Sequence, residues 1–147
     1  MKPRGTALNI APVPTSSWSE VAELLREPSA LLLDGRSHAE YRGDQQHPEA
    51  VRRGHIPGAQ HLYWQSVLRS EADPRLRPAD ELRALFQPFA IEQRSLIVTA
   101  CQSGTRSAAM YFALLQLGVA PGKLLNYNGS WSEYSRLGLP LQTGDTP

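Results

Sequence analysis

Apolar positions along this chain fall into two spacings. Trp18, Val21, Leu24 and Leu25 recur at helical intervals and predict a helix that starts near Ser17 or Ser19 and is stopped by Pro28. A second helix is predicted from Pro78, with Leu82, Leu85, Phe86 and Phe89 facing a core, and a third over residues 105–117, ended by Gly118. A last helix is expected over residues 130–136, and a helical turn over residues 64–68. Between them lie short apolar runs at residues 30–33, 59–62, 96–98 and 123–127, read as strands. The runs at 30–33 and 96–98 are apolar without alternation, as in strands buried on both faces. Strands that alternate with helices predict an α/β fold: a mostly parallel sheet with helices on both faces. Residues 37–58 are polar and glycine-rich, with Gly54-His55-Ile56-Pro57-Gly58 as a turn. Residues 1–17 hold three prolines and read as an N-terminal arm or linker, leaving residues 18–147 as one domain.

Composition narrows the function. The chain has 147 residues, 41% of them hydrophobic, enough for the core of one domain. A net charge of +1 gives no reason to expect a nucleic-acid partner. No apolar run reaches the roughly 18 residues of a membrane helix, so no membrane association is expected. The N-terminus has no secretory pattern, because Asn9, Pro12 and Pro14 interrupt it, so the cytoplasm is the expected compartment. One cysteine, Cys101, excludes an intramolecular disulfide and any resolving cysteine within the chain. No cofactor is called for. His38, His47 and His61 form no metal-ligand spacing with Cys101, so no metal is expected.

The chemistry centres on Cys101. It follows the strand at 96–98 and precedes the helix at 105–117, the place where open parallel sheets carry their reactive groups. Backbone N–H groups of Gln102 to Arg106 can turn inward as an anion nest, the helix dipole adds partial positive charge, and Arg106 adds a full one. These effects favour the thiolate, which can accept a sulfane sulfur and become a persulfide. Gly104 lets the backbone turn, and Ser103 and Thr105 offer hydroxyl donors. The competing reading is a small buried cysteine in a core. The polar run Gln102-Ser103-Gly104-Thr105-Arg106 argues against it.

Four motifs, in order, give the chain a resemblance to the rhodanese superfamily from about Trp18 to Leu141. They are Leu32-Leu33-Asp34-Gly35-Arg36, Gly54-His55-Ile56-Pro57-Gly58-Ala59, the loop Cys101 to Arg106, and Tyr127-Asn128-Gly129-Ser130-Trp131. The likeness is nearest to the catalytic C-terminal half of two-domain thiosulfate and 3-mercaptopyruvate sulfurtransferases, through Tyr41-Arg42-Gly43, the insertion at 44–53, and Trp64. It implies a five-stranded parallel sheet and a persulfide on Cys101. The N-terminal arm would correspond to an interdomain linker, with the cleft left open or completed by another subunit.

The remaining site residues carry two readings each. Arg36 and Arg42 are candidates to grip the anionic end of a substrate, against ion pairs with Asp34, Glu40 or Asp44. Asp34 and His55 are read as structural supports. Trp64 is a pocket wall or a core residue. The expected partners are a small anionic sulfur donor, thiosulfate ahead of 3-mercaptopyruvate because Arg106 supplies charge, and a thiol, cyanide or protein sulfur acceptor. A phosphatase or arsenate reductase is the first rival, but those phosphatases place five residues between cysteine and arginine, where this loop has four. The second rival is a non-catalytic binding module of the same fold, which often lacks the cysteine.

Overall fold

Four of the apolar runs lie side by side as parallel strands. The structure, a computed structural model, describes residues 17–147. The strands are β1 (Leu31–Asp34), β2 (Gln60–His61), β3 (Ile97–Ala100) and β4 (Leu124–Asn126), in the order β2-β1-β3-β4. β1 and β3 hold the centre, with Leu31 opposite Ile97 and Asp34 opposite Ala100. All eight of their residues are buried, as expected for strands covered on both faces.

Side-chain alternation sends successive residues to opposite layers. Leu31, Leu33, Ile97 and Leu124 point to one side, where α3 (Ala79–Phe86) supplies Leu82 and Phe86 and α4 (Thr105–Gln116) supplies Met110 and Leu114. Leu32, Val98, Ala100 and Leu125 point to the other. There α1 (Trp18–Leu24) contributes Val21, α2 (His38–Arg42) contributes Tyr41, and α5 (Ser130–Tyr134) contributes Trp131 and Tyr134. Each large side chain sealed in either layer stabilises the fold by about 1.5–3 kcal/mol.

One helix had no counterpart among the expected elements, and one expectation needs correction. In the polar stretch after β1, α2 forms because Ser37 and Glu40 make a reciprocal capping box, and Gly43, at φ +87°, closes the helix. The sheet has four strands among the described residues, not five. In their place the C-terminal segment makes a single antiparallel bridge, Gln142 to His55, with no further ladder. The arm expected over residues 1–17 lies outside the described residues except for Ser17, whose carbonyl accepts from Val21 N–H at the start of α1. Among the described residues no helix is long and apolar enough to cross a membrane.

The carboxyl ends of β1, β3 and β4 finish at one edge. Gly35 N–H donates to the Ala100 carbonyl at 2.7 Å, and Tyr127 N–H to the Thr99 carbonyl at 2.8 Å. The segments that leave these strands, at Gly35, Cys101 and Tyr127, therefore start as neighbours.

Candidate active site

Cys101 is the first residue past β3, and its chain turns at once into α4. Its Sγ accepts two backbone hydrogen bonds, from Gly104 N–H at 3.2 Å and from Ser107 N–H at 3.3 Å. The inward-facing amides expected from residues 102–106 are thus one from the loop and one from the first turn of the helix beyond it. The hydroxyls of Ser103 and Thr105 are on exposed residues and make no hydrogen bond to the sulfur. Cys101 is 2% exposed, yet the surroundings of its sulfur are polar. That is the geometry of a nest for an anion.

The loop is braced from below by neutral groups. Asn126, at the end of β4, donates from Nδ2 to the Gly104 carbonyl at 3.0 Å. Its Oδ1 accepts from Thr99 Oγ1 at 2.9 Å and from Ser107 Oγ at 2.7 Å. Ser130 Oγ accepts from Cys101 N–H at 3.0 Å and donates to the Tyr127 carbonyl at 2.6 Å. Ser130 does so at φ +50°, a left-handed conformation that a non-glycine residue adopts at a cost of about 1–3 kcal/mol. The backbones of the two segments are stitched together as well, Trp131 N–H to the Cys101 carbonyl and Ser132 N–H to the Gln102 carbonyl. The Gln102 side chain is buried beside the nucleophile, and neither its oxygen nor its nitrogen has a partner among the described residues.

Gly104 is required by shape. Its φ of +85° is left-handed, and a Cβ there would stand 2.5 Å from Asn128 Oδ1 and 2.9 Å from Asn128 Cα. The oxygen can move, but the backbone carbon is fixed by the turn. Gly104→Ala is expected to destabilise the domain by about 1–3 kcal/mol and to swing its N–H off the sulfur. A urea titration measures the first effect, and the rate of Cys101 alkylation the second. Unchanged values in both would show that the loop accommodates a side chain.

The arginines nominated for substrate are already engaged. Arg36 is 2% exposed. Its guanidinium donates to Asp34 from Nε and from Nη2, the latter at 2.6 Å, and to the Gly54 carbonyl at 2.8 Å. The same group lies 4.8 Å from the centre of the Trp131 ring. Three of the four sequence motifs thus meet on Arg36, through the Asp34 ion pair that stood as the alternative to gripping a substrate. Arg42 pairs with Asp44 at 2.9 Å and with Asp145 from the C-terminal segment, which also meets His38 at 2.7 Å. Arg106 does not fold back over the loop. It pairs with both oxygens of Glu40 on α2, at 3.0 and 3.2 Å. Burial acts to raise the Glu40 carboxyl, but Arg106 and Ser37 outweigh it and hold it below the usual carboxylate range.

His55 is fully buried, stacked on Tyr41 at 3.7 Å, with its ring nitrogens 2.7 and 2.9 Å from the Tyr41 and Thr146 carbonyls. These are the surroundings of a residue that fixes a turn. Trp64 packs with the α3 and α4 core, and its N–H donates to the Gly35 carbonyl. Among the described residues no group of three potential ligands could hold a metal ion.

A family model described as a rhodanese-like domain matches residues 17–137. The chain belongs to that family. Among its rhodanese-like relatives is the "Sulfur carrier protein TtuD" of Thermus thermophilus, 38% identical over 82% of this chain and 44% of the relative. The 3-mercaptopyruvate sulfurtransferase of Escherichia coli is 35% identical over 79% of this chain and 40% of the relative. The chain therefore spans less than half the length of these curated relatives. In structure, the 3-mercaptopyruvate sulfurtransferase SseA of Escherichia coli superposes with a TM-score of 0.64 at 28% identity, covering 82% of this chain and 43% of that one. An anaerobic ergothioneine biosynthesis enzyme from Chlorobium limicola shares the fold, with a TM-score of 0.76 at 23% identity over 88% of this chain and 32% of its own.

Sequence reading nominated neither Ser107 nor Asn126; it named Glu40 only as an ion-pair partner for Arg36 or Arg42, and Ser130 only as part of the fourth motif. For Glu40 a signal was present, the Ser37-x-x-Glu40 capping pattern. Ser107 and Asn126 act through contacts between segments far apart in the chain, for which local spacing carries no signal.

Proposed function

We propose that the protein is a sulfurtransferase that carries sulfane sulfur as a persulfide on Cys101. The observation that supports this reading best is the pair of amides, Gly104 N–H and Ser107 N–H, aimed at Cys101 Sγ. With thiosulfate as donor, the thiolate attacks the outer sulfur, the S–S bond of the donor breaks, and sulfite leaves with the electron pair. The charge now rests on the outer sulfur of Cys101-S-S⁻. Cyanide or a thiolate then attacks that sulfur and restores the Cys101 thiolate, a ping-pong cycle. 3-Mercaptopyruvate is the alternative donor. The cytoplasm, which keeps small thiols reduced, suits such acceptors.

The test is an intact mass measurement after incubation with thiosulfate and desalting. Cys101 should gain about 32 Da, the mass of one sulfur on the nucleophile. Addition of cyanide should return the original mass and release thiocyanate. No added mass with any sulfur donor, or phosphate release from an aryl phosphate in its place, would overturn the reading. A relay to a protein acceptor is a second reading, favoured by the likeness to the Thermus thermophilus sulfur carrier protein. Its signature is full loading of Cys101 with slow discharge by cyanide and fast discharge by a protein thiol.

A further inference from the structure

The cationic character that the sequence assigns to the active end is cancelled in the fold. Arg36 is matched by Asp34, Arg42 by Asp44 and Asp145, and Arg106 by Glu40. Of these pairs, the last stands beside the nucleophile. Arg106 lies in the first turn of α4 immediately before Ser107, whose amide faces the sulfur. The Arg106 side chain is 27% exposed and that of Glu40 10%, so both groups border the solvent at the loop. Glu40 is fixed from two directions: Arg106 binds both its oxygens, and Ser37 N–H donates to Oε1 at 3.3 Å within the capping box. A bidentate guanidinium–carboxylate pair has spent its best donors and presents almost no net charge to an incoming ion.

On the sulfurtransferase reading above, we propose that Glu40 is a specificity-determining residue: by clasping Arg106 it keeps the approach to Cys101 electrically neutral and turns the site away from dianionic sulfur donors toward monoanionic ones. Thiosulfate carries two negative charges. An organic thiosulfonate anion carries one and delivers its sulfur by the same chemistry, with a sulfinate as the leaving group in place of sulfite. The thiolate repels both, the dianion twice as strongly, and a neutral Arg106–Glu40 pair does nothing to offset the difference.

The test compares kcat/KM for thiosulfate and for methanethiosulfonate, with loading of Cys101 followed by mass. In Glu40→Gln the capping function survives, because Gln serves at that helix position as Glu does, while Arg106 gains a free charge. The ratio of thiosulfate to methanethiosulfonate kcat/KM should rise about tenfold, through a lower KM for thiosulfate. In Arg106→Gln it should fall. In the double variant, neutral again, it should return to within about twofold of wild type, as charge balance requires. Wild-type protein gives an independent reading: its thiosulfate kcat/KM should stay constant or rise with added salt, because no uncompensated cation draws the donor in. A ratio that is unchanged or lower in Glu40→Gln, or a wild-type rate with thiosulfate that falls steeply with salt, overturns the proposal. If neither of these donors loads Cys101 in wild type while 3-mercaptopyruvate does, this proposal alone has failed; if none of the three loads it, the sulfurtransferase reading has failed with it.

Discussion

Cys101→Ser is expected to abolish sulfur loading and to cut donor-to-cyanide transfer by at least about a thousandfold, the order of loss seen when a covalent nucleophile is removed. Ser has nearly the same shape, and its Oγ can accept the same two amide hydrogen bonds. The unfolding midpoint should therefore stay close to that of wild type, with a change of no more than about 1 kcal/mol. What is lost is chemistry: a hydroxyl stays protonated at neutral pH and has no general base assigned beside it. Mass spectrometry and urea titration on the same sample separate the two effects. Transfer that persists in the Ser variant would assign the sulfur to some other carrier.

Arg36→Met is expected to be the most destabilising of the single changes considered, by about 3–5 kcal/mol. Methionine fills much of the volume but leaves Asp34 charged, buried and without its cation, and it deprives the Gly54 carbonyl of a donor. The domain has only about 5–15 kcal/mol of net stability, so the variant would lose at least about a fifth of it. Because the same guanidinium lies over the ring of Trp131, whose backbone amide holds the Cys101 carbonyl, sulfur loading should fall along with stability. Denaturant unfolding checks the first, and a loss below about 1 kcal/mol would show that the buried pair contributes little.

Local periodicity made the architecture readable. The runs at 30–33 and 96–98 became the central strands because apolar residues bounded by turn signals have few other homes. The helix over residues 105–117 was equally legible, and so was the position of Cys101 between the two. α2 was obscured because its five residues are mostly polar and it draws stability from caps rather than from an apolar stripe. The arginines were harder still. A charged side chain in a loop reads the same whether it faces solvent or a carboxylate dozens of residues away. Arg106 and Glu40 lie 66 positions apart, and only folding discloses that their charges cancel. Likewise Asn126 and Thr99 look like routine strand residues until β3 and β4 are laid next to each other.

The brace beneath the nucleophile is assembled from amides, hydroxyls and one carboxamide, through Thr99, Gly104, Ser107, Asn126 and Ser130. None of those groups gains or loses a proton anywhere near neutrality. The scaffold around the sulfur therefore behaves as a fixed mould across the working range of pH. Any change of stability with pH across that range must come from groups outside this brace.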